Sequence, residues 1–257
     1  MQETRGGLRG YVVCALPRSG SSYFCQLLQS TGNLGFPIEY FNTVGRRRDV
    51  PDYPTAPAAQ IKEVLRSGTP NGVYGFKLMP AQVDLLRRYQ WADCFSGLKY
   101  VQITRNDLLG QAISLARAVH SGQWNSRAPA RGGADYCRAD ILKYLHRIAL
   151  DETRWRLYFA RNQIVPVHLT YESIVEAPQR AVDKVAALMG ISPAVMAHDK
   201  ITNKIQRDPQ TEEWRARFVS ESFDASRLDN LMSPGFMRRS ASGMRLRLRE
   251  LLSGSRP

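Results

Sequence analysis

Tyr11-Val-Val-Cys-Ala-Leu-Pro-Arg-Ser-Gly-Ser-Ser-Tyr23 runs from an apolar strand straight into a small-residue turn carrying one arginine. Tyr11 to Leu16 has the composition of a short buried strand, and Tyr23 to Leu28 reads as the first turns of a helix. A strand-turn-helix junction aims several free backbone N–H groups, and the positive end of the helix dipole, at one point. Gly20 lets the backbone curl, Ser19, Ser21 and Ser22 add hydroxyls, and Arg18 adds a planar fork suited to phosphate or sulfate oxygens. The stretch predicts an anion-binding loop.

What the loop lacks narrows the anion. A nucleotide-triphosphate loop reads G-x-x-x-x-G-K-[ST], whereas here Ser21 follows Gly20 and no lysine is present. The spaced glycines of a dinucleotide fold are missing as well.

Outside the loop, apolar strands alternate with amphipathic stretches. Further strands are predicted at 72–79, 98–104 and 164–171, and helices at 57–67, 84–89, 108–120, 135–162 and 178–189. Residues 42–59 and 122–134 read as long loops rich in Pro, Gly and Arg. Such alternation implies one α/β domain over the 257 residues, a central parallel sheet with helices on both faces. Ligands gather at the carboxyl ends of such strands, where Arg18, Lys77 and Arg105 converge. Arg105 ends a strand and Ser114 lies in the helix that follows, so the two can hold one phosphate from two sides.

Thirty-six Lys and Arg against 23 Asp and Glu give a formal charge of +13, which favours polyanionic ligands. Part of the excess lies in Arg46-Arg47-Arg48 and in a basic tail at about 235–257, both read as solvated surface. No zinc-finger spacing, aromatic RNA-binding signature or helix-turn-helix text is present, so nucleic acid is not expected as partner. Cysteines 14, 25, 94 and 137 are widely separated and His120, His146, His168 and His198 have no ligand spacing. Reduced thiols, no metal and a cytoplasmic location are expected. No run approaches a transmembrane span, which leaves peripheral membrane contact to the tail.

These segments together resemble the bacterial trehalose sulfotransferase family, over about residues 9–220. The matching text is Leu16-Pro-Arg-Ser-Gly-Ser-Ser, Gly35-Phe-Pro-Ile-Glu-Tyr-Phe, Pro70-Asn-Gly-Val-Tyr-Gly-Phe-Lys-Leu-Met, Arg105…Gln111-Ala-Ile-Ser…Arg117-Ala-Val, Gln206-Arg…Glu213-Trp and Tyr171-Glu-Ser-Ile. The resemblance implies a single-domain, P-loop-like sulfotransferase fold and transfer of the sulfuryl group of 3′-phosphoadenosine 5′-phosphosulfate (PAPS) to a carbohydrate or glycolipid hydroxyl. It implies Glu39 as general base, with Arg18 and Lys77 at the reacting centre. Arg18, Ser19, Gly20, Ser21, Ser22 and Tyr23 would hold the 5′ end of the donor, Arg105 and Ser114 its 3′-phosphate, and Gln206 and Arg207 would close over it. A homodimer is carried over in the same way. The loop at 42–59 does not align with the family and lies where the acceptor is recognised. The rival readings are a P-loop kinase, which would need a Gly-Lys pair, and a non-catalytic protein binding 3′-phosphoadenosine 5′-phosphate (PAP), another nucleotide or nucleic acid.

Overall fold

The computed structural model describes residues 7–95, 97–124, 132–203 and 209–221. Residues up to Phe218 form one compact unit, and of a second unit starting at Val219 only 219–221 are described. Among the described residues four strands, β1 (Arg9–Cys14), β2 (Val73–Leu78), β3 (Lys99–Thr104) and β4 (Val167–Thr170), make a wholly parallel sheet in the order β2-β1-β3-β4. The helices are α1 (Ser21–Ser30), α2 (Thr43–Asp49), α3 (Pro57–Arg66), α4 (Pro80–Leu86), α5 (Leu108–Ser121), α6 (Arg138–Arg161), α7 (Tyr171–Glu176), α8 (Pro178–Leu188) and α9 (Pro209–Ser220).

Both faces of the sheet are covered, which is why its strands read as continuous apolar runs. Alternate residues of β1 go to opposite sides. Val12 and Cys14 join a core with Phe76, Ile113 and Trp155, and Tyr11 and Val13 join a second with Phe24, Leu28 and Val182. The first core is built largely of aromatics: Phe76 stacks on Phe95 at 4.8 Å and meets Phe41 edge-on at 6.0 Å. Tyr40 and Phe41 are thereby core residues, 4% and 3% exposed.

Most predicted elements form where expected, and four differ. The helix predicted at 84–89 is α4 instead, begun earlier by Pro80 at its first position, with the Met79 N–H donating to Gln82 Oε1 at 2.8 Å. Residues 42–59 are not one loop, because Asn42 caps a helix by accepting a bond from the Gly45 N–H at 3.0 Å, and α2 results. β4 starts only at Val167, after Pro166, which has no N–H for the ladder. Tyr171-Glu-Ser-Ile forms α7, started by a reciprocal cap in which the Thr170 side chain accepts from Ser173 N–H.

Candidate functional site

The turn between β1 and α1 is held by its carbonyls. The Trp155 indole donates to Ala15 O at 3.1 Å, Ser19 Oγ donates to Leu16 O at 2.8 Å, and the buried Gln111 amide donates to Pro17 O at 2.8 Å. Gly20 has no side chain to cap α1, and among the described residues no side chain does so, so the first-turn N–H groups of α1 remain for a ligand. No acidic residue occupies that turn, so the dipole's positive end is not neutralised locally. Two residues of the turn have positive φ, Arg18 at 61° and Gly20 at 78°. For arginine this conformation costs about 1–3 kcal/mol, a strain characteristic of functional loops. At Gly20 glycine is required twice over, since a Cβ would stand 2.3 Å from the Tyr171 ring.

The loop opens on a cavity of about 700 Å³ at the carboxyl end of the sheet. Arg18, Gly20, Ser21, Ser22, Tyr23, Glu39, Lys77, Arg105 and Ser114 all line it. Ser19 does not: its side chain is fully buried and spent on Leu16. Gln206 and Arg207 lie outside the described residues.

Three elements deliver the cations. Arg18 donates from Nε to Ser114 Oγ at 2.9 Å and from Nη1 to Trp124 O at 2.6 Å. Burial, and then the charges of Arg105 and Arg117, lower its pKa from the usual value, with partial relief from Tyr171. Arg105, at the end of β3, sits 4.9 Å from the centre of the Tyr171 ring and pairs with Asp107 at 3.1 Å. Its Nε is buried and has no hydrogen-bond partner among the described residues. Asp107 also caps α5 through Gly110 N–H at 2.9 Å and pairs with Arg215 at 2.7 Å. Burial alone would raise the Asp107 pKa, but the Arg215 and Gly110 hydrogen bonds and the two arginine charges hold it below the usual value. Glu172 accepts the N–H groups of Asn106 and Asp107 at 3.1 and 3.3 Å, which fixes the turn after β3.

Lys77 comes from within β2, one residue before its end, and is 4% exposed. The segment carrying Glu39 runs beside it: Ile38 bridges Phe76, and Ile38 O accepts the Lys77 N–H at 2.9 Å. The next side chain therefore meets the lysine. Lys77 Nζ lies 2.8 Å from Glu39 Oε1 and 3.0 Å from Ser22 Oγ, so one ammonium touches both the carboxylate and the anion loop. Asn42 donates to Glu39 Oε2 at 2.9 Å. Burial by itself raises the Glu39 pKa, yet the Lys77 charge and the two hydrogen bonds hold it below the usual value. Burial pulls Lys77 the other way, and Glu39 overcomes that and leaves its pKa raised. Cys25 also lines the cavity, with its thiol pushed up to about 12, by burial first, and is thus an inert neighbour.

His120 is not on the cavity wall: it pairs with Asp140 at 2.9 Å between α5 and α6. Among the described residues no group of three or more His, Cys, Asp or Glu could hold a metal, and no helix is long and apolar enough to cross a membrane. Sequence reading assigned no role to Gln111, Trp155, Asp107 or Asn42, the four that brace the site. Gln111 alone carried a hint, since it lies within the text that resembles the sulfotransferase family.

Trehalose 2-sulfotransferase of Mycobacterium tuberculosis (strain ATCC 35801 / TMC 107 / Erdman) is 29% identical, covering 84% of this chain and 96% of the relative. The trehalose 2-sulfotransferase of Mycolicibacterium smegmatis is 27% identical, covering 81% and 93%. Among solved structures, a sulfotransferase from Alicyclobacillus acidocaldarius is 14% identical with a TM-score of 0.49, covering 83% of this chain and 92% of that one. The Stf0 sulphotransferase family profile matches residues 10–221, from the first strand through the whole site, and the chain belongs to that family.

Proposed function

We propose that this protein transfers the sulfuryl group of PAPS to a hydroxyl of a carbohydrate or glycolipid head group, with Glu39 as general base. The observation that carries the reading is the single ammonium of Lys77 shared between Glu39 and the anion loop, 2.8 and 3.0 Å away. The residues fit such a donor. The loop amides, Arg18 and Lys77 answer a 5′-phosphosulfate, and the buried Nε of Arg105, without a partner among the described residues, answers a 3′-phosphate together with Ser114.

PAPS supplies a sulfuryl group already activated on a phosphate leaving group. Glu39, ionised at neutral pH, accepts the acceptor's proton as its oxygen bonds to sulfur and the sulfur–oxygen bond to the phosphate breaks. Arg18 and the α1 N-terminus stabilise the negative charge that accumulates on the departing phosphate. Lys77 neutralises charge on the moving group, and in doing so shares its charge away from Glu39 and increases the basicity of that carboxylate. The relatives' names support a sugar acceptor, and the family resemblance supports a homodimer, testable by light scattering.

Titration calorimetry with PAP, with ATP as control, tests the donor site. Micromolar binding of PAP with ATP much weaker is expected, and a folded sample that does not bind PAP would overturn the reading. Glu39→Gln is expected to retain PAP affinity and lose transfer of labelled sulfate. Unchanged turnover would remove Glu39 from the mechanism.

A further inference from the structure

In the sequence Arg46 and Arg48 belong to a basic run read as solvated surface. In the structure α2 places both on the cavity wall, whereas Arg47 donates from Nε to the Tyr53 carbonyl at 3.0 Å. Their placement follows from the helix cap. The Asn42 side chain accepts from Gly45 N–H and donates to Glu39 Oε2, so α2 starts at the residue that touches the proposed base. Groups on α2 therefore border the acceptor. The donor's anionic groups are already matched by Arg18, Lys77, Arg105 and the first turn of α1.

Arg46 is poorly neutralised where it lies. Its guanidinium stands 5.1 Å from the centre of the Tyr53 ring, and its side chain is 23% exposed. The one carboxylate paired with it among the described residues is Asp49, at 3.8 Å and itself 73% exposed. Nε of Arg46 is buried and has no hydrogen-bond partner among the described residues. Arg48 has no ion pair among those residues. A partly desolvated guanidinium with one distant, solvated counter-ion gains from an anionic ligand. Both arginines line the same cavity, and the planar fork of each matches the oxygens of a phosphate or carboxylate. The dipole of α2 favours basic residues in its last turn, but that effect is met equally by side chains in solvent and does not account for two on the wall of the cavity that Glu39 also lines.

We infer that the acceptor of this protein is an anionic sugar, whose phosphate or carboxylate is gripped by Arg46 and Arg48 while a hydroxyl faces Glu39. The inference rests on the sulfuryl-transfer reading for the identity of Glu39's partner, and its binding arm can be measured without turnover. The full chain, loaded with PAP, is titrated with trehalose, trehalose 6-phosphate and glucuronate, with inorganic phosphate as control. A charged sugar is expected to bind about tenfold or more tightly than trehalose, the scale of a charge-assisted hydrogen bond. Arg48→Ala removes an exposed side chain, and Arg46→Gln keeps most of the stem over Tyr53. Each is expected to erase most of the preference for the charged sugar while the Kd for PAP stays within about twofold. Preference for the phosphate sugar over glucuronate, or the reverse, identifies the anion. Equal binding of trehalose, no binding of either charged sugar, or a preference that survives both substitutions would overturn the inference. Failure of PAP itself to bind would strike the donor reading instead, and the same sugar titrations on the unloaded protein then decide the role of the two arginines.

Discussion

Replacing Glu39 with glutamine removes the counter-ion of a lysine that is 4% exposed. At 2.8 Å the two charges attract by about 6 kcal/mol at an effective dielectric near 20. Desolvation of both groups cancels much of that, and truncating one partner of a buried pair typically costs about 3–5 kcal/mol. Glu39 is 26% exposed and Ser22 remains to accept from Lys77, so the lower end, about 3 kcal/mol, applies. For a domain of this size that lowers Tm by about 6–12 °C. The assay is urea denaturation of the wild type, Glu39→Gln, Lys77→Met and the double variant, closed as a thermodynamic cycle. The double variant is expected to lose less than the two singles together, with a coupling of about 2–3 kcal/mol, because no charge is left stranded. The contribution depends on pH in a fixed direction. Glu39 is held below 4.5, so its share is present above about that pH and is lost as pH falls through the lowered value. Lys77 is held above 10.5, so its share is present below about that pH and is lost as pH rises through the raised value. A neutral-pH loss below about 0.5 kcal/mol for Glu39→Gln, with no coupling in the cycle, would refute the buried-pair reasoning. In the kinetics Lys77→Met is expected to move the acid limb of kcat/KM upward, because burial then acts on Glu39 without its counter-ion.

Arg105→Ala is expected to weaken PAP binding by about 1.5–3 kcal/mol, read by calorimetry, and an unaltered Kd would remove it from the donor site. Gln111→Leu takes the donor from the half-buried Pro17 carbonyl and is expected to cost about 1 kcal/mol in denaturation and to weaken PAP as the loop relaxes. Full PAP affinity in a destabilised Gln111→Leu protein would show that the loop keeps its shape without this brace. Ser19→Ala, by contrast, loses only the bond to Leu16 O, so about 1 kcal/mol of stability is expected to go with PAP affinity retained. A large fall in affinity would mean that the hydroxyl turns outward to the ligand. Gly20→Ala is expected to lose PAP binding and stability together, since the new Cβ meets the Tyr171 ring at 2.3 Å with φ at 78°; a stable, binding variant would show that Tyr171 swings away.

The local text of this chain carries the fold because its elements are short-range in cause. The apolar runs of β1 and β3, the periodic apolar stripes of α5 and α6 and the glycine at the first turn each act within a few residues, so each can be read from sequence. The helix at α2 was missed because its start depends on one side chain, Asn42, reaching Gly45 in a stretch otherwise dense in loop residues. Arg18, Lys77 and Arg105 were identifiable as strand-end cations, because strand order alone brings them to one edge. Their electrostatic condition was not, because it is set by partners far off in the chain: Glu39 for Lys77, Ser114 for Arg18, and Asp107 with Arg215 behind Arg105. Ser19 and Ser21 look alike in the string, and only packing separates them, one turned onto Leu16 and the other lining the cavity. Arg46 and Arg48 show the same division most plainly. Their charge and spacing belong to the sequence, but whether an arginine is solvated or faces a cavity beside Glu39 depends on the direction of a helix, and that direction follows from contacts between residues the sequence keeps apart.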